Sequence, residues 1–115
     1  MLKRAIEPRK GLLDFPGGFM DMSDSSIEET AYREVCEEIG IERDAIQNLS
    51  YISSAVSPYI WKGVELQNVC FYFTCLIDEA TTIKLDQTEN SEFNWVTETD
   101  LTNIDFAWEI DKRML

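Results

Sequence analysis

Three carboxylates, Glu34, Glu37 and Glu38, lie at spacings of three and four residues, so a helix would place them on one face. Arg33 adjoins them. Unassisted, like charges at these spacings cost roughly a few tenths of a kcal/mol per pair. A divalent cation reverses that sign. Clustered carboxylate oxygens suit a hard ion such as Mg²⁺, which keeps several waters and bridges protein carboxylates to substrate phosphates. The competing reading of the same spacing is a solvated acidic helix face.

The helix that must carry these groups is legible. Ser26 with Glu29 forms a capping box, and Ser25 with Glu28 offers the same spacing one residue earlier. Gly40 is placed to close the helix in a left-handed conformation. Ile27, Ala31, Val35 and Ile39 recur every four residues and form its expected buried stripe. Ahead of the helix, Gly17-Gly18 predicts a tight turn that lets backbone approach a ligand closely.

Composition bounds the rest. A chain of 115 residues with 44% hydrophobic content makes one domain, 1–115, with a modest core. The net charge is −12, from 22 acidic and 10 basic residues. Such a surface repels nucleic-acid backbones and anionic membranes, so neither is expected as a partner. A diphosphate substrate would also be repelled unless metal ions neutralised the site. The chain has no His, which excludes a Ser-His or Cys-His nucleophile system within it. Cys36, Cys70 and Cys75 show no paired ligand spacing and read as reduced core thiols of a cytoplasmic protein. No segment approaches the roughly 20 apolar residues of a membrane-spanning helix, and no signal peptide is visible.

The order of residues is more specific than their spacing. Arg33-Glu34-Val35-Cys36-Glu37-Glu38-Ile39-Gly40-Ile41 resembles the Nudix box, whose core reads R-E-hydrophobic-x-E-E-x-G-hydrophobic. Phe15-Pro16-Gly17-Gly18-Phe19 looks like the usual approach to that box, and Arg4, Pro8 and Gly11 fit the family's outline ahead of it. One position departs. The family pattern has a Glu six residues after the second Gly and eight before the Arg. Here those counts land on Asp24 and Ser25, so the loop is one residue longer and carries no Glu in that slot. Asp24 is the candidate substitute, with a shorter reach.

The resemblance implies an α/β fold: a Nudix-type α/β/α sandwich with a mixed sheet. It also implies at least one strand ahead of the chain's first residues, since the box begins only seventeen residues in. A domain lacking that strand would have an open sheet edge, and either a homodimer or a weakened fold is expected. The activity implied is hydrolysis of a nucleoside diphosphate linked to another moiety. Glu34, Glu37, Glu38 and the Gly17 carbonyl would hold Mg²⁺ or Mn²⁺, and Arg33 would orient the box carboxylates. Glu92, with Glu89 second, would help hold metal or activate water. Gly18, Phe19, Tyr59 and Trp61 are the substrate-binding candidates. The Phe-Pro-Gly-Gly-Phe approach and the Tyr-x-Trp-Lys-Gly stretch look more like the branch acting on ADP-ribose or NADH than the branch acting on oxidised nucleoside triphosphates. The alternative is a Nudix-fold ligand-binding or regulatory module with little or no turnover.

Other expectations follow the chain. Leu12–Phe15 should be a strand, and 42–48 a loop with a helical turn. Leu49–Val56 should be a strand broken by Ser57-Pro58-Tyr59, leaving Tyr59–Gly63 as an exposed hairpin or loop. Its rings would either stack on a base or plug the core edge. Val64–Ile77 alternates with apolar residues on both faces and predicts a central strand covered on both sides. Trp95 is expected in the core, Thr97 to cap a short helix, and Phe106–Leu115 to form a terminal amphipathic helix.

Overall fold

A computed structural model describes residues 1–112 of the chain. Helix α1, Ile27–Ile39, forms where the capping signals place it. The Ser26 hydroxyl accepts from the Glu29 N–H at 3.1 Å. At the other end Gly40 takes φ 65° and ψ 33°, and its N–H reaches the Cys36 carbonyl at 3.0 Å. A side chain there would be strained in its backbone and would collide with the Lys84 backbone. That close approach has a purpose. The Lys84 and Asp86 N–H groups donate to the carbonyls of Ile39 and Glu38, so the 78–90 loop satisfies the helix's C-terminal acceptors.

Strand β1 (Leu2–Arg4) lies between β2 (Leu13–Asp14) and β5 (Asn90–Phe93), antiparallel to both. Strands β3 (Gln47–Trp61) and β4 (Val64–Leu76) form a long antiparallel hairpin as a second sheet. The architecture is α/β. Among the described residues its strand pairs are antiparallel, and the parallel component of the expected mixed sheet is limited to an isolated bridge between Leu13 and Phe106. A 3₁₀ turn at Arg43–Ala45 links α1 to β3, and another spans Asp100–Asn103, where Thr97 and Asp100 cap each other. Helix α2, Glu109–Lys112, is shorter than the expected terminal helix; Met114 lies outside the described residues.

Leu2, Ile39, Ile41 and Ile46 form the core, joined by Tyr32, Val35, Cys75 and Ile77. Each fully buried aliphatic side chain contributes about 1.5–3 kcal/mol by leaving water. The three cysteines are free, and burial pushes their thiols up.

Three expectations need correction. Strand β3 does not break at Ser57-Pro58-Tyr59 but runs on to Trp61, and the reversal is the Lys62-Gly63 turn. A strand with a partner on one side only can accept a proline, because a free edge has no ladder hydrogen bond to lose. Strand β4 is not a central strand among the described residues, where it pairs with β3 alone. Its apolar residues on both faces have another cause. Asn68, Cys70 and Tyr72 are half-buried on one face, then Phe73, Cys75 and Ile77 on the other. The switch coincides with a bulge at Ile52, between the pairs Tyr51–Phe73 and Ser53–Tyr72. Each face is therefore covered along only part of the strand. Trp95, finally, is not in the core: it is 73% exposed.

Candidate active site

The box carboxylates are on one helix but not in one environment. Glu38 is buried, at 9% exposure, and accepts the Gly17 N–H at 2.9 Å. Glu34 is nearly covered and lies over Gly18, where a β-carbon would come within 2.5 Å of its carboxylate. A side chain at position 18 would push that carboxylate aside. Glu37 points to solvent, with its side chain 58% exposed. Burial raises the pKa of Glu34, against the pull of Arg33. Burial pushes Glu38 up to about 8; the charges of Glu34, Glu89 and Asp14 add to this, and the Gly17 hydrogen bond only partly offsets it.

Arg33 organises the rim. Its Nη1 reaches Glu34 at 2.9 Å and Glu37 at 3.3 Å, and its Nη2 donates to the Phe19 carbonyl at 3.0 Å. The other side of the guanidinium is gripped by Asp24, at 3.0 Å from Nε and 2.9 Å from Nη2. Asp24 also accepts from the Thr30 hydroxyl and the Asp21 N–H. These hydrogen bonds, led by Arg33, hold the Asp24 carboxyl well below its usual range. The residue that fills the displaced slot is thus Asp24, and its shorter side chain still spans to the guanidinium. Ser25 takes no part in this network.

The structure distinguishes Glu89 from Glu92. Glu92 sits on β5 opposite Lys3 and pairs with its ammonium at 3.0 Å, on an exposed sheet surface. Glu89, in the preceding loop, is the one whose charge raises both Glu34 and Glu38. Asp14, which sequence reasoning passed over, also bears on Glu38. The available signal was a lone carboxylate inside the apolar stretch Leu12–Phe15. Asp14 is held by Arg4 at 3.3 Å and by the Trp108 indole N–H at 3.1 Å.

Beyond Gly18, three rings continue the surface. Phe19 lies 5.8 Å from Tyr59, and Tyr59 stacks on Trp61 at 6.4 Å with an 18° interplanar angle. The Lys62 ammonium sits 5.5 Å from the Trp61 ring. Phe19 and Trp61 are more than half exposed, so neither is a core plug.

The donor set fits a hard cation in kind. It is all oxygen, it carries more negative charge than Arg33 neutralises, and two of its carboxylates are desolvated. Among the described residues, no group of three or more His, Cys, Asp or Glu side chains is placed to hold a metal ion together. Glu34 and Glu37 face Arg33, whereas Glu38 turns to Gly17.

The Nudix domain family model matches residues 1–115. The chain belongs to the Nudix family. Membership supports a hydrolase acting on pyrophosphate bonds. No curated protein and no solved structure matches the chain. Among the described residues, no helix of this Nudix domain is long and apolar enough to cross a membrane.

Proposed function

We propose that this Nudix domain is a metal-dependent pyrophosphohydrolase acting on a nucleoside diphosphate linked to another moiety, of the ADP-ribose or NADH type. The observation that carries the reading is the pair of desolvated carboxylates, Glu34 and Glu38, set against Gly17-Gly18 and faced by Glu89. A folded protein keeps such under-neutralised acid groups at a cost, and a bound cation would offset that cost.

Glu34, Glu37, Glu38 and the Gly17 carbonyl would hold Mg²⁺ or Mn²⁺. When bound, the ion would neutralise the diphosphate, polarise the attacked phosphorus and lower the pKa of a water. Arg33 is a positioning residue, fixing Glu34 and Glu37 while Asp24 fixes Arg33. Gly18 leaves space for Glu34 and lets the protein backbone approach the substrate closely. Glu89 is better placed than Glu92 to take a proton from the attacking water, because Glu92 is engaged with Lys3. Phe19 and Trp61 offer exposed rings on which a base could stack, and half-buried Tyr59 lies between them. The remaining chemistry is positioning and charge stabilisation.

The test is Mg²⁺-dependent hydrolysis of ADP-ribose, NADH, diadenosine polyphosphates and nucleoside triphosphates. AMP released from ADP-ribose or NADH, and abolished by a chelator, is the expected result. Turnover of triphosphates alone would move the substrate assignment to another branch. Binding without turnover, by protein shown to be folded, would replace the hydrolase with a binding module.

A further inference from the structure

Among the described residues, only Asp111 keeps a buried side-chain oxygen with no hydrogen-bond donor beside it. The residue is 6% exposed. Its Oδ1 accepts the Tyr72 hydroxyl at 2.7 Å, and its Oδ2 is the orphan. An ionised carboxylate is costly to bury in that state. What does lie within hydrogen-bonding reach is a second carboxyl, that of Asp14. Two carboxylates repel and neither can donate. One proton between them turns the repulsion into a hydrogen bond.

The pair sits at a structural joint. Asp14 is on β2, where Arg4 and the Trp108 indole N–H hold its Oδ2. Asp111 is on α2 and reaches Tyr72 of β4. Residues 105–111 are thereby tied to both sheets. The Leu13 N–H donates to the Asp105 carbonyl at 3.2 Å, the Ala107 N–H donates to the Leu13 carbonyl at 2.7 Å, and Ala107 is fully buried. Just beyond β2 the chain reaches Gly17, whose N–H binds Glu38. Loosening 105–111 therefore loosens the strand that anchors that turn.

The groups around Asp111 set the sign of its response. Tyr72 and Cys70 face it from β4 and Asp14 from β2. Glu38 of α1 lies behind Asp14. The cations nearby, Arg4 and Arg9, are directed to Asp14 and to the Trp108 ring. Burial pushes the Asp111 carboxyl up to about 6; the Tyr72 hydrogen bond pulls the other way, and the charge of Asp14 adds to the rise.

We propose that Asp111 and Asp14 share one proton and form a pH-operated latch. With Oδ2 protonated, Asp111 donates to Asp14 and clamps residues 105–111 across the two sheets; loss of the proton releases them. The latched form holds this proton where a solvated carboxyl has lost it. Its contribution is therefore fully present below about pH 3.8 and is lost as pH rises through about 6. That interval corresponds to about a 100-fold change in the opening equilibrium.

The experiment titrates the metal-free protein from about pH 4 to about pH 8, a range that brackets this step. Carbon-13 NMR follows the carboxyl carbons of Asp14 and Asp111, assigned with the Asp14→Asn and Asp111→Asn proteins. Hydrogen exchange, corrected for its intrinsic pH dependence, follows the Ala107 and Asp111 amides. The Asp111 carboxyl should lose its proton with a midpoint near 6, and both amides should lose about 100-fold in protection across that step. Asp111→Asn keeps the shape, accepts from Tyr72 and donates to Asp14 with no proton to lose, so its protection should stay high and flat. An Asp111 carboxyl that titrates in the ordinary carboxylate range overturns the proposal. So does amide protection that ignores the step, or an Asp111→Asn protein that keeps the parent's pH dependence. The titration of the unsubstituted protein decides the question even if a variant fails to fold. No readout requires turnover, so the result stands apart from the hydrolase reading.

Discussion

Replacing Glu38 by Gln separates a structural cost from a catalytic gain. Glu38 is 9% exposed, receives one hydrogen bond from Gly17 and faces Glu34, Glu89 and Asp14. Its carboxyl is pushed up to about 8 from an ordinary 4.5, first by burial. The folded state therefore holds this proton where the unfolded chain has lost it. The stability this contributes is fully present below about pH 4.5 and is lost as pH rises through about 8. In a rigid dry site the change would be worth about 5 kcal/mol; relaxation and residual water bring the expectation to about 2–3 kcal/mol. Gln keeps the shape and still accepts the Gly17 N–H. The metal-free Glu38→Gln protein should thus match the parent at about pH 4 and exceed it above about pH 8.5 by that amount, or about 8–15 °C in Tm. Thermal unfolding in chelator at the two pH values measures this. With Mg²⁺ added at pH 8.5 the parent should regain the difference and the variant should not. Turnover of the variant should fall by roughly two orders of magnitude or more. A variant destabilised equally at both pH values, or one with parental turnover, would refute the reasoning.

Four other substitutions test the remaining parts. Asp24→Ala frees the Arg33 guanidinium, the Thr30 hydroxyl and the Asp21 N–H, and should lower turnover by about 10–100-fold, as loss of a supporting hydrogen-bond partner does. Unchanged kinetics would remove Asp24 from the box. Glu89→Gln should reduce turnover by at least roughly 10²-fold while Glu92→Gln, which loses only an exposed pair with Lys3, stays within about twofold; the opposite ranking would return the proton-accepting role to Glu92. Trp61→Ala removes an exposed ring and should raise KM for a nucleoside diphosphate substrate about three- to tenfold with kcat and Tm little changed. A large drop in Tm instead would mean that the ring serves packing.

The sequence by itself determined the local chemistry. The Ser26 cap, the Gly40 terminus and the Arg33-to-Ile41 order are short-range patterns, and short-range backbone physics suffices to build them. Hence helix α1 and the family were readable. The tertiary structure decided everything that depends on neighbours distant in the chain. Helical spacing makes Glu34, Glu37 and Glu38 look equivalent, but packing against Gly17-Gly18 buries two and leaves the third in water. Both Glu89 and Glu92 precede Trp95 at plausible distances, and only strand register shows that Glu92 faces Lys3. Alternation in β4 suggested burial on both faces at once. A bulge in its partner strand instead switches coverage from one face to the other along its length, a property of pairing that no single strand's sequence contains.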